Sequence, residues 1–213
     1  VSDQAESKGT DRTSTGTDAG HAQPAPSAEF IRAPTPQAAL DTALTARLRG
    51  RILPDIHLPT LQRVHARLHS YTEGVAVVYI VPGDTKPAQP GSLPPDIAEH
   101  RGYANRLAAF TARRITVVCV TSAPLAYLDR VGSALEVGHM MFSDPELQIA
   151  AALGLPVLRD GATRSYPRMT LITKDGRITQ VFYPIPNAEA AGNARQVMAF
   201  LARVETNRRR PRR

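Results

Sequence analysis

"RMTLITKDGRITQVFY", residues 168–183, is the stretch on which the fold turns. Two apolar, β-branched runs flank Lys174, Asp175 and Gly176. An Asp-Gly pair between alternating hydrophobics is a hairpin signal, because both turn positions need positive φ and these residues tolerate it. The antiparallel pair comes late in the chain, so its meaning depends on what precedes it.

Upstream, "VAVVYIV" (75–81) and "ITVVCVT" (115–121) are continuous β-branched runs, the pattern of strands covered on both faces. Between them Tyr103, Leu107 and Phe110 recur at i, i+4 and i+7, which predicts one helix face. The segment from Pro82 to Glu99 holds five prolines and two glycines and reads as a long irregular loop. "PLAYLDRVGSALEV" predicts a helix starting at Pro124, and "HMMFSD" a short strand. "DPELQIAAALGLP" predicts a helix with Asp144 as N-cap, Pro145 at its first position and Gly154 as its stop. Ala194, Val197, Met198 and Leu201 mark a closing helix.

Before the first buried run, Leu40, Leu44 and Leu48 share a helix face that ends at Gly50. Pro54 and Pro59 demand an extended entry, and Val64, Ala66 and Leu68 alternate as in a half-buried strand. The order is β-β-α-β-α-β-α-β-β-α: parallel crossovers, then a hairpin, then a packing helix. That is a thioredoxin-like α/β order, with a central mixed sheet flanked by helices.

Composition narrows the setting. Residues 1–37 lack periodic apolar positions and are rich in Ser, Thr, Gly, Ala and Pro, so they are expected to be disordered. Residues 38–50 form a short helix and linker, 51–204 the folded domain, and 205–213 a basic tail. The net charge of +7 owes much to the ending "RRRPRR", which is expected to make weak, nonspecific contacts with polyanions. The only cysteine, Cys119, excludes an intramolecular disulfide, and no apolar run is long enough to cross a bilayer. No signal-peptide core is visible at the start, and a cytoplasmic location is expected. His100, His139 and Asp144 lack metal-ligand spacing, so neither a metal nor another cofactor is expected.

The segments "LPDIHLP", "VVYIVPG", "ITVVCVTS", "FSDPELQIAAALGLP" and "PRMTLITKDGRITQVFYP" stand in peroxiredoxin order across most of 51–203. The chain resembles the AhpC/TSA peroxiredoxins, and among them the Q-type group. In that family a thiolate in the first turn of a helix attacks the peroxide, helped by the helix N-terminus, a threonine hydroxyl and an arginine from the later hairpin. Lowered thiol pKa is the physical basis. The family's R-G-C-T-P-x-x-C reads "RGYANRLA" here, which puts Tyr103 at the peroxidatic position, Ala108 at the resolving position and His100 where threonine is wanted. A second register through Pro82 and Thr85 puts Ala88 at the cysteine position. Both registers lack the thiol. The resemblance makes Arg168 the family arginine and Pro167 a candidate cis-proline.

Three functions follow. In the first, thiol peroxidase activity is lost and the inherited pocket, around Pro82, His100, Tyr103 and Arg168, binds a small, anionic ligand. In the second, Cys119 serves as an alternative thiol in an antioxidant oxidoreductase that takes a peroxide-like substrate and an external thiol reductant. In the third, Tyr103 as general acid and Arg168 as anion clamp serve a repurposed, non-redox reaction. The fold is also compatible with a homodimer. A mid-strand cysteine among valines is more often a small buried hydrophobe than a nucleophile, and Tyr103 fits equally as core.

Overall fold

The structure is a computed structural model that describes residues 36–83 and 91–209. They belong to one compact unit, Pro34–Arg213. The expected disorder of 1–37 lies almost wholly outside the described residues, as do Thr85, Ala88 and the last four residues of the arginine tail.

In chain order the elements are α1 (Pro36–Leu48), β1 (His57–Pro59), β2 (His65–Arg67), a 3-10 turn (Leu68–Tyr71), β3 (Val75–Val81), α2 (Pro95–Ala104), α3 (Leu107–Thr111) and β4 (Ile115–Thr121). They continue with α4 (Leu125–Leu135), β5 (Met140–Ser143), α5 (Gln148–Leu153), β6 (Leu158–Asp160), β7 (Thr163–Ser165), β8 (Met169–Lys174), β9 (Arg177–Phe182), a second 3-10 turn (Asn187–Gly192) and α6 (Asn193–Arg209). The main sheet has the order β5-β4-β3-β8-β9. Strands β3, β4 and β5 are parallel, while β8 and β9 run antiparallel. This is the mixed thioredoxin-like sheet expected from the segment order.

Strand period divides the core in two. Val78, Ile80, Val118, Val120 and Leu171 face one side, with Leu48, Leu58, Ile149 and Leu153. Val77, Tyr79, Val117, Cys119 and Ile172 face the other, with Tyr103, Phe110, Tyr127 and Val197 from the helices. The β8–β9 hairpin turns at Asp175 and Gly176 with φ of 50° and 72°, as its sequence demands.

Several expectations are corrected. The proline-rich segment is not irregular throughout: α2 starts at Pro95, with Pro94 as its cap. Proline lacks an N–H that a first helical turn would leave unpaired anyway, so Pro-Pro starts a helix here instead of preventing one. The predicted single helix through Tyr103 and Phe110 breaks at Asn105 and Arg106. Asn is a poor helix interior residue because its side chain competes for backbone groups. Asp144 caps α5 from four residues upstream, its carboxylate accepting the N–H groups of Gln148 and Ile149 at 2.9 and 3.0 Å. The helix therefore begins at Gln148, after Leu147 in a left-handed conformation, and not at Pro145. Leu40 is 65% exposed, so only Leu44 and Leu48 of its predicted face reach the core. Strand β2 is only three residues long and Val64 is exposed. The chain from 205 to 209 extends α6 before any tail begins. Among the described residues the cis peptide bond is Tyr183–Pro184, so Pro167 is not the cis-proline. X-Pro bonds prefer trans by only about 0.5–1 kcal/mol, which leaves the choice to tertiary context that sequence does not display.

Candidate functional site

The site forms where the first turn of α2 meets the start of β8. Pro94-Pro95 starts α2 and puts Asp96 in its first turn, and Glu99 follows three residues later on the same face. Both are fully buried. Arg168, just before β8, turns inward instead of outward and is 4% exposed. Its Nη2 donates to Asp96 Oδ1 and its Nη1 to Glu99 Oε2, so each arm of the guanidinium meets a carboxylate. The fork geometry of arginine suits this double pairing.

Asp96 is fixed from a second side. Gly83 N–H, just beyond β3, donates to Asp96 Oδ2 at 2.6 Å. A glycine is required there: φ is +86°, and an added Cβ would lie 2.3 Å from Ala123 Cβ. Glu99 is held by Asn193 Nδ2, which donates to its Oε1 at 2.6 Å and to Thr170 Oγ1 at 2.7 Å. Burial pushes the Glu99 carboxyl up to about 7, against the pull of Arg168 and Asn193.

Tyr103 lies elsewhere than the resemblance implies. It sits in the last turn of α2, two turns beyond Asp96, so neither the helix N-terminus nor Arg168 acts on it. Its ring stacks on Tyr79 with centroids 4.1 Å apart, and its hydroxyl lies 3.4 Å from Thr170 Oγ1. Burial raises its pKa well above the ordinary tyrosine value. Tyr103 is a core side chain. Ala108 is exposed on α3. The residue in the first turn that faces the hairpin arginine is Asp96: a carboxylate stands where the resemblance requires a thiolate.

His100 is buried in a chain of polar rings. Its Nδ1 lies 2.9 Å from the Tyr79 hydroxyl and its Nε2 2.9 Å from the Tyr127 hydroxyl. Tyr79 OH also lies 2.7 Å from His139 Nε2, and Tyr127 OH donates to Asp96 Oδ2 over 3.5 Å. Burial lowers His100 to about 3 and His139 to about 4, which keeps both imidazoles neutral. Cys119 is fully buried in β4, with its Sγ 4.0 Å from His100 Nδ1. Desolvation raises its pKa well above the usual thiol value. No group of acidic, histidine and cysteine side chains suited to a metal ion occurs among the described residues.

A cavity of about 770 Å³ opens beside Arg168, lined by Pro82, Gly83, Pro167, Tyr183, Ile185 and Asn187. Of the four predicted ligand-binding residues, Pro82 and Arg168 border it, whereas His100 and Tyr103 lie in the core. Sequence reasoning missed Asp96, Glu99, Tyr79, Tyr127 and Asn193. For the first two a signal was present: "PPDIAE" carries proline at a helix start and an acidic residue in the first turn.

The order and directions of its five strands define the main sheet as a thioredoxin-like fold. Residues 48–198 match the Redoxin family model, and the chain belongs to that family. Among solved structures, the fold is similar to a cysteine-to-serine mutant of PrxQ from Xylella fastidiosa, at 18% identity and a TM-score of 0.61, covering 74% of this chain and 96% of that one. It is likewise similar to reduced Prx3 from Vibrio vulnificus in complex with hydrogen peroxide, at 21% identity and a TM-score of 0.61, covering 72% and 95%. Peroxidoxin BcpB from Mycobacterium tuberculosis aligns at 17% identity and a TM-score of 0.57, covering 71% and 96%. No curated protein matches this chain. Among the described residues no helix is long and apolar enough to cross a membrane.

Proposed function

We propose that this redoxin has no thiol peroxidase activity and works as a small-molecule-binding protein through the cavity beside Arg168. One observation carries the first half: Asp96, in the first turn of α2, faces Arg168 and accepts from Gly83 N–H. A carboxylate held this way cannot form a sulfenic acid, and it occupies the arginine that would otherwise meet a peroxide or thiolate. A cytoplasmic setting agrees with the lone, buried cysteine.

The geometry argues for a change in the ligand expected there. Arg168 is already matched by two carboxylates, so an anion gains little from it. The cavity wall of Leu158, Pro167, Tyr183 and Ile185 favours a ligand with an apolar body, oriented by polar groups such as Asn187. The same pairing weakens the repurposed-enzyme reading, because Tyr103 and Arg168 do not converge on a shared space.

The family match speaks for the antioxidant reading through Cys119, but against it the thiol is buried and its thiolate disfavoured. Hydrogen peroxide consumption with thioredoxin or dithiothreitol supplied tests the proposal. No turnover above the blank is expected, and turnover lost in Cys119→Ser would overturn it.

A further inference from the structure

The apolar face of α6 continues past the part that the sheet covers. Val197, Phe200, Leu201 and Val204 recur at i, i+3, i+4 and i+7, which is one helix face. Val197 is fully buried, whereas Phe200, Leu201 and Val204 are only half-buried. They border a cleft of about 490 Å³ whose floor is made by the buried Ile115 and Ile172, with Val75 beside them. Its size is that of a small-molecule site. Phe200 is fixed as one wall by an edge-on contact with Phe182, the ring centroids 5.7 Å apart. The cleft shares no lining residue with the Arg168 cavity and lies at the other end of β8.

Charge decides what such a cleft accepts. Its lining carries Arg113, Arg114 and Lys174 against Glu205, which is already engaged. Arg113 turns back on α3 and donates to Ala109 O at 3.1 Å. Lys174 is placed by strand register. It pairs with Val75 across β3 and β8, as Ile172 pairs with Val77, so Lys174 shares the sheet face of Val75 and Ile172. That is the face on which α6 packs. Lys174 is exposed and makes no salt bridge among the described residues. Its flexible stem lets the ammonium meet an anion at the mouth of the cleft.

We infer that this cleft binds a free fatty acid, with the chain along Phe200, Leu201 and Val204 and the carboxylate paired with Lys174. The walls are apolar and the free charge on the sheet face is positive, so among amphiphiles the cleft favours anionic ones. The head group stays at the solvated rim while the chain leaves water, so no charge has to be buried. Each CH₂ that reaches the walls should strengthen binding about fourfold.

Dodecanoate, kept below the concentration at which it forms micelles, is the probe, and the full chain is titrated by calorimetry and methyl NMR. Saturable binding is expected, with shifts at Val75, Leu201 and Val204 and none at Leu158 or Ile185 of the Arg168 cavity. Octanoate and dodecyltrimethylammonium should each bind more weakly, by about tenfold or more. Lys174→Glu, at an exposed strand end, should weaken dodecanoate by about tenfold and leave dodecyltrimethylammonium bound at least as well. Absence of saturable dodecanoate binding, or shifts confined to the Arg168 cavity, overturns the site. Equal affinity of the wild-type chain for dodecanoate and dodecyltrimethylammonium overturns the pairing with Lys174, whatever the variant does.

Discussion

Asp96 and Arg168 lie 72 residues apart in the chain and meet in the interior as a buried ion pair, one from the first turn of α2 and the other from the start of β8. Glu99 takes the second arm of the same guanidinium. Taking three charges out of water is costly, and the pairing offsets that cost only while all three are present.

Replacing Arg168 by Leu is therefore expected to lower the unfolding free energy by about 3–5 kcal/mol, because two buried carboxylates lose the guanidinium they share. Urea unfolding of the wild type and variant checks this. A loss under about 1 kcal/mol, the scale of an exposed pair, contradicts the burial of the cluster.

The pH dependence of stability has two opposed parts. Burial holds His100 at about 3 and His139 at about 4, below the ordinary histidine value. Their contribution is complete above the ordinary range and is lost as pH falls from there through about 4 for His139 and about 3 for His100. Glu99 is raised from 4.5 to about 7. Its contribution is complete below its unfolded value and is lost as pH rises through about 7. Two histidines outweigh one carboxyl, so stability should rise from about pH 5 to about pH 7. Glu99→Gln removes the opposing part and should steepen that rise by about 1–3 kcal/mol, whatever its effect at a single pH. Denaturant unfolding across this range decides it, and an unchanged slope contradicts a raised Glu99.

Cys119 is expected to resist thiol reagents in the native protein at neutral pH and to react only as the chain unfolds. Its thiol is fully buried in β4 between β3 and β5, and burial raises its pKa. Labelling followed against denaturant should track the unfolding curve. Prompt stoichiometric labelling without denaturant contradicts this.

The sheet was legible because its strands are long β-branched runs with a clear period, and the hairpin because Asp175-Gly176 has one favourable turn geometry. The β6–β7 pair was not, since its three-residue strands are almost wholly exposed and carry no apolar alternation. The site was half legible. Arg168 came from the resemblance, which matches it to the family arginine of the hairpin, but its partners lay in a segment that proline content marked as irregular. Tyr103 took the place of Asp96 because "RGY" fitted a motif spelling, whereas helix position decides which residue meets the arginine. Burial of Arg168 was also unreadable locally, because it depends on carboxylates 69 and 72 residues away.

The most direct measurement of the central claim, that Asp96 holds the thiolate's place opposite Arg168, is mass spectrometry of Asp96→Cys after mild peroxide treatment. A cysteine there gains the α2 N-terminus, Arg168 and the Gly83 N–H, all of which favour the thiolate. Oxygen addition at residue 96 is expected in this variant, suppressed by a further Arg168→Ala change, with none in the wild type and none at residue 103 in Tyr103→Cys. Oxidation at residue 103 in Tyr103→Cys, with residue 96 inert in Asp96→Cys, would contradict the account.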